Sequence, residues 1–234
     1  MKIATWNVNG IKARLGTALT WLKKATPDVA CLQEIKSVDE NFPREAFEDA
    51  GYNVVTHGQK GFNGVAILSK APLENVSRRL PGDDDDEQAR YIESTISTET
   101  GAVCIACLYL PNGNPIDTPK FPYKLAWMRR LENRVRDLLA EEMPLVVAGD
   151  YNVIPMPEDA KHPDAWTSDA LYQPESRAAF RRLINLGLTD AIRATQPAPE
   201  TFTFWDYQAG AWPKNNGIRI DHLLLSPQAA DCLE

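Results

Sequence analysis

The run Pro144-Leu-Val-Val-Ala-Gly149 is apolar through its centre and is followed at once by Asp150-Tyr-Asn152. Six such residues without polar alternation read as a buried strand, which requires a sheet covered on its faces. The polar residues behind it are then delivered to the edge of that sheet. The same device occurs where Lys2-Ile-Ala-Thr-Trp6 leads into Asn7-Val-Asn9-Gly10, and where Val29-Ala-Cys-Leu32 leads into Gln33-Glu34. Several strand ends therefore present carboxylates and amides, the oxygen donors that hard cations such as Mg²⁺ prefer.

Between these strands the pattern alternates. Ile11, Leu15, Leu19 and Leu22 recur at helical spacing, and Pro27 closes that segment. Strands are expected near 29–34, 52–57, 64–69, 91–97 and 102–110, with the turn Gly58-Gln-Lys-Gly-Phe-Asn-Gly64 before the third. Leu125, Met128, Leu131, Val135 and Leu138 mark a long amphipathic helix, and another is expected near 175–186, ahead of strands near 202–206 and 217–226. The order predicts an α/β four-layer sandwich, two facing mixed sheets flanked by helices. Pattern alone does not distinguish it from a doubly wound sheet.

At 234 residues and 44% hydrophobic content, with no repeat and no linker, residues 1–234 are expected to form a single domain. The N-terminus lacks a signal-peptide core, and no run approaches the roughly 20 apolar residues of a membrane span. A soluble cytoplasmic protein, with no membrane partner, is the expectation. Cys104 and Cys107 lie three apart on a predicted strand, so they face opposite ways and cannot converge on one ion. The net charge of −7 opposes nonspecific nucleic-acid binding, but ligand carboxylates count as negative in that sum and attract phosphate once a cation is bound. Lys60, Lys120, Arg129, Arg130, Arg177, Arg181, Arg182, Lys214 and Arg219 supply basic groups for a footprint, and the acidic run Asp83 to Glu87 reads as a solvated loop.

Two halves echo each other. Thr5-Trp-Asn-Val-Asn9 and Gly149-Asp-Tyr-Asn-Val153 both place polar side chains at alternate positions just past an apolar strand. If the strands lie side by side across two sheets, Asn7, Asn9, Asp150 and Asn152 share one pocket. Turn punctuation would explain any one of these residues, but explains the joint pattern less well.

Thr-Trp-Asn-Val-Asn-Gly at 5–10, Leu-Gln-Glu at 32–34, Gly-Gln-Lys-Gly-x-x-Gly-Val-Ala at 58–66, Tyr-Leu-Pro-Asn-Gly at 109–113, Gly-Asp-Tyr-Asn at 149–152 and Arg-Ile-Asp at 219–221 follow in order. Together they resemble the exonuclease III family of bacterial abasic-site endonucleases, within the endonuclease/exonuclease/phosphatase superfamily of deoxyribonuclease I-like fold. The resemblance spans essentially the whole chain. It implies a monomeric Mg²⁺-dependent DNA repair nuclease, with Mn²⁺ able to substitute. The enzyme would cut 5′ to abasic sites in duplex DNA and act as a 3′–5′ exonuclease and 3′-phosphodiesterase on blocked ends.

The resemblance also implies roles. Glu34 would be the principal metal carboxylate with Asn7 beside it, Asp150 would polarise or deprotonate the attacking water, and Asn152 would hold that water or a phosphate oxygen. Tyr109 would set its hydroxyl against the scissile phosphate and Asn112 would touch a phosphate of the bound strand. The segment Phe202-Thr-Phe-Trp-Asp-Tyr207, with Phe204, Ile218 and Ile220 as walls, would form an apolar pocket for a sugar lacking its base. Trp212, beside Pro213 in a polar loop, is a candidate for insertion into DNA.

One departure stands out. The family ends in a Ser-Asp-His segment whose histidine pairs with the aspartate matching Asp221, and this sequence stops at Ala-Asp-Cys-Leu-Glu234 without it or its closing strand. His222 should face away from Asp221, and neither His57 nor His162 looks like a substitute. Two other readings follow: a catalytically silent DNA-binding homologue, or a phosphatase of the same fold. The first binds abasic duplexes without cutting them; against the second stand the pocket segment and Gly-Gln-Lys-Gly.

Overall fold

Strands buried on both faces need a second sheet on one side and helices on the other. The computed structural model, which describes residues 1–98, 101–206 and 210–234, provides both. Strands β1 (Ile3–Asn7), β2 (Val29–Gln33), β3 (Asn53–His57) and β4 (Val65–Ser69) form one sheet in the order β1-β2-β4-β3, with only β1 and β2 parallel. The second contains β5 (Leu73–Arg78), β6 (Tyr91–Thr98), β7 (Gly101–Tyr109), β8 (Leu145–Asp150), β9 (Thr189–Asp190) and, beyond a ribbon of β10 (Phe204–Trp205) and β11 (Gly217–Ile218), β12 (Asp221–Leu225). Its order is β5-β6-β7-β8-β12-β9, with β7 and β8 parallel.

Val29, Cys31, Val65 and Ile67 of the first sheet meet Ile105, Cys107, Val146 and Ala148 of the second in one buried layer. The alternate residues point outward. Ala30, Leu32 and Leu68 pack under α1 (Ile11–Ala25) and α2 (Arg44–Glu48), through Ile11, Leu22 and Phe47. Cys104, Leu108 and Val147 pack under α3 (Lys120–Ala140) and α4 (Pro174–Ile184), through Trp127, Leu131, Phe180 and Leu183. The expected four layers are present, and Cys104 and Cys107 fall into different cores. Short helices α5 (Ala191–Thr195) and α6 (Pro227–Ala230) lie against β12.

Three local expectations change. Helix α3 starts at Lys120, five residues before the apolar periodicity, because Pro122 sits in its first turn where no N–H is required. Strand β5 gave no alternation to read: it is an edge strand, largely exposed, with a register shift between Glu74 and Ser77. The segment 217–226 is two strands, interrupted at Arg219 and Ile220. Among the described residues no helix is long and apolar enough to cross a membrane.

Candidate active site

Five strands bring their polar residues to one rim. Asn7 ends β1, Glu34 follows β2, and Asp150 ends β8. The parallel register of β7 and β8 sets Tyr109 opposite Asp150, and the antiparallel register of β12 sets Asp221 opposite Asp150 on the other side. Gly149 permits this spacing, since a Cβ there would lie 2.0 Å from the Leu108 carbonyl oxygen. The Asn7 amide spans the two sheets: its Nδ2 donates to Glu34 Oε1 at 2.8 Å and to Asp150 Oδ2 at 3.0 Å.

The sequence echo is a repeated turn. Asn7 Oδ1 accepts from the Asn9 backbone N–H at 3.0 Å, and Asp150 Oδ1 accepts from that of Asn152 at 2.9 Å. Asn9 and Asn152 both take left-handed backbone, with φ of 44° and 47°. Strand alternation ends at that turn, so the second residue of each pair does not follow the first. Asn9 still lines the cleft, where its Oδ1 accepts from Lys36. Asn152 is buried, donating from Nδ2 to the Leu110 carbonyl at 2.9 Å and accepting from Asn112 Nδ2 at 3.2 Å. The single pocket expected for all four residues therefore holds three, with Asn152 turned toward the chain after β7.

Charge is crowded at the rim. Burial raises the Glu34 carboxyl, but hydrogen bonds from Asn7 and Lys36 overcome it and leave it below the usual range; Lys36 Nζ lies 2.9 Å from Oε2. Asp150 is pushed up to about 6, first by burial and also by the Glu34 charge, against hydrogen bonds from Asn7 and Asn152. Asp221 is also raised well above its ordinary range, by burial and by Asp150, with Thr203 opposing, and its buried Oδ1 has no hydrogen-bond partner among the described residues. The Tyr109 phenol is held neutral by burial and by the nearby Glu34 and Asp150 carboxylates. Arg90 stacks 4.9 Å from its ring centroid.

This donor set fits a divalent cation. Negative charge converges beyond what the protein neutralises, and Glu34 and Asp150 offer hard oxygens with the Asn7 amide between them. No three His, Cys, Asp or Glu side chains among the described residues close around one point. Glu34 and Asp150 are the one or two carboxylates that a hard divalent cation keeping part of its water shell would use.

A cleft of about 1030 Å³ opens beside these groups, walled by Trp6, Phe204, Trp205 and Trp212. Trp212 is 69% exposed and packs edge-on against Trp205 at 4.6 Å. Ile218 and Ile220 do not reach the cleft surface. They are buried with Ile154, Ala160 and Leu171, and Phe204 packs over them. Asn112 is exposed and hydrogen-bonds Asn152 from outside the cleft lining. Tyr207, in the expected pocket segment, lies outside the described residues.

Several placements had no distinct sequence signal. Arg219, a candidate for DNA contact, is buried: it bonds both oxygens of Asp159 and reaches Asp190 Oδ2 at 2.6 Å. His222 faces away from Asp221, as expected. Its Nδ1 accepts from Arg219, Nε2–H donates to the Val153 carbonyl, and burial pulls it down to about 4. Asp86 is not solvated; Arg130 binds it at 2.7 Å and the Tyr123 hydroxyl at 3.1 Å, which removes Arg130 from any footprint. Lys124 is fully buried under the site, and burial pulls it down to about 7.

The family model described as "Endonuclease/Exonuclease/phosphatase family" matches residues 4–232. Exodeoxyribonuclease III of Haemophilus influenzae is 36% identical over 239 residues, covering 99% of this chain and 90% of its own. An AP endonuclease from Archaeoglobus fulgidus superposes with a TM-score of 0.93 at 37% identity, over 99% of this chain and 88% of that one. The 3′ phosphatase NExo from Neisseria, bound to a product DNA hairpin, gives 0.94 at 38% identity, over 98% and 88%. With its carboxylates, amides and phenol gathered at one sheet rim, the chain belongs to the endonuclease/exonuclease/phosphatase family, in its exodeoxyribonuclease III branch of hydrolytic nucleases.

Proposed function

We propose that this chain is a Mg²⁺-dependent DNA repair nuclease, with Mn²⁺ able to substitute. It cuts duplex DNA 5′ to abasic sites, removes 3′ nucleotides and blocking groups, and acts as a monomeric single-domain protein in the cytoplasm. The observation that carries this reading is the Asn7 amide joining Glu34 and Asp150 across the two sheets, at the mouth of an aromatic cleft.

Each side chain has a task consistent with its environment. Glu34 and Asp150, with Asn7 between them, hold the cation, which when bound supplies charge neutralisation for the phosphodiester and its transition state. Above about pH 6 Asp150 is a carboxylate able to take a proton from water. Tyr109 stays a neutral phenol, so it donates a hydrogen bond where charge develops on phosphate. Asn152 and Asn112 brace the phosphate side. Asp221 orients a histidine in the resembling enzymes, and its unpartnered Oδ1 is the acceptor such an imidazole would use. Phe204 and Trp212 present apolar surface to a flipped sugar, with Ile218 and Ile220 behind Phe204 as its support.

A labelled duplex carrying one tetrahydrofuran abasic analogue tests this. Incision 5′ to the lesion with Mg²⁺, abolished by EDTA, is expected. Binding without cutting would identify a silent DNA-binding homologue. Release of phosphate from a soluble phosphomonoester, without action on DNA, would identify a phosphatase.

A further inference from the structure

Lys124 lies on the second turn of α3, 0% exposed, with no carboxylate in direct contact among the described residues. Its Nζ donates instead to three backbone carbonyls: Asn112 at 3.1 Å, Asn152 at 2.6 Å and Ala170 at 3.3 Å. An ammonium has three hydrogens, and here each has an acceptor; a neutral amine would leave one of the three carbonyls unserved, so these bonds favour the charged form against the burial that opposes it. Burying a charge is costly unless it is fully hydrogen-bonded, so an apolar side chain would be the cheaper way to fill this place in a helix–sheet core. What the ammonium adds is a junction of three loops.

Two of those carbonyls belong to residues whose side chains brace the site. Asn112 and Asn152 bond each other, Asn152 Nδ2 bonds Leu110, and Asn114 bonds both Asp169 and the Ala170 amide. There is no slack around the stem. Gly113 adopts φ +90°, and a Cβ on it would lie 2.7 Å from Lys124 Cδ.

We propose that Lys124 is a positioning residue for phosphodiester cleavage, its ammonium fixing the amides of Asn112 and Asn152 by gathering the backbone of three loops at one point. The inference rests on the nuclease reading. Lys124→Met keeps the stem and removes the donors; since displacements near 1 Å can cost two orders of magnitude, kcat on the abasic duplex should fall about 100-fold. Met128→Ala, one turn along the same buried face, matches the loss of thermal stability and should keep kcat within about threefold. Because Lys124 acts through Asn112 and Asn152, adding Lys124→Met to a variant carrying both Asn112→Ala and Asn152→Ala should cost no more than about threefold further. A folded Lys124→Met with near wild-type kcat, or losses that multiply in the combined variant, would overturn the inference. If Lys124→Met does not fold, Lys124→Gln carries the same comparison. NMR resonances of the Asn112 and Asn152 side-chain amides give a second readout: they should shift in the Lys124 variant and not in Met128→Ala, and unchanged signals would refute the positioning role. A wild-type chain that cuts nothing defeats the nuclease reading, while these amide signals still decide whether Lys124 holds the two asparagines.

Discussion

Asp150→Asn should make the metal-free protein more stable while abolishing turnover. Asp150 is raised from 3.8 to about 6, so the folded state disfavours its charge. The sign follows: a raised carboxyl contributes stability that is fully present below pH 3.8 and lost as pH rises through about 6. The shift is about 2 units, which corresponds to roughly 3 kcal/mol against the ionised wild type. Asparagine avoids that cost but keeps only one of two hydrogen bonds. Its carbonyl can serve the Asn152 N–H, leaving its NH₂ against Asn7 Nδ2, for a loss of about 1–2 kcal/mol. The net gain at pH 8 is about 1–2 kcal/mol, or roughly 2–8 °C for a chain of this size. Below pH 4 both proteins are neutral here and only the lost hydrogen bond remains, so the order reverses. Differential scanning fluorimetry in EDTA from pH 4 to 8 measures this directly. Mg²⁺ should raise the wild-type Tm by more than the variant's, and DNA binding should survive. An Asp150→Asn protein that is no more stable than wild type at pH 8 in EDTA would refute the electrostatic account.

Glu34→Gln should raise the Mg²⁺ concentration for half-maximal cleavage at least about tenfold, because a carboxylate ligand is lost while Asn7 keeps its acceptor; a metal titration that does not move would contradict the assignment. Trp212→Ala should weaken abasic-duplex binding by roughly 1–3 kcal/mol without altering Tm, since the ring is mostly exposed; fluorescence anisotropy at fixed salt checks it. Arg219→Met should destabilise by about 3–5 kcal/mol in urea, because it leaves Asp159 buried with only Arg193 as cation and deprives Asp190 of its ion pair.

The sequence displayed the site more fully than the supports beneath it. Apolar runs ending in Asn7, Glu34 and Asp150 identify strands by pattern, and parallel pairing of β1 with β2 and of β7 with β8 follows from helices intervening at α1 and α3. Local pattern fails wherever a polar group is satisfied by something distant. Lys124 and Arg219 carry charges that composition assigns to the surface, yet their partners lie 28 and 60 residues away. Asn152 misleads for a different reason: strand alternation does not survive the left-handed turn that follows Asp150. Ile218 and Ile220 read equally well as pocket wall or core, and only the packing of Phe204 over them decides which surface meets the cleft.

The arrangement of the sheets explains why the rim is reactive. Both parallel pairs end at the same edge, so each sheet contributes an amide or phenol and a carboxylate, Asn7 and Glu34 from one, Tyr109 and Asp150 from the other. The floor beneath them is filled by protein side chains. Gln33, fully buried, accepts from Thr5 Oγ1 and donates to the Cys31 carbonyl and Cys107 Sγ, filling the gap between the sheets just under Asn7. Over such a floor the charges of Glu34, Asp150 and Asp221 act on one another with little screening. A cation bound between the carboxylates would relieve the part of the strain on Asp150 that comes from the Glu34 charge, so cation binding and Asp150 ionisation favour each other. A substitution that neutralises Asp150 removes that strain and a cation ligand together, which sets stability against activity at this residue.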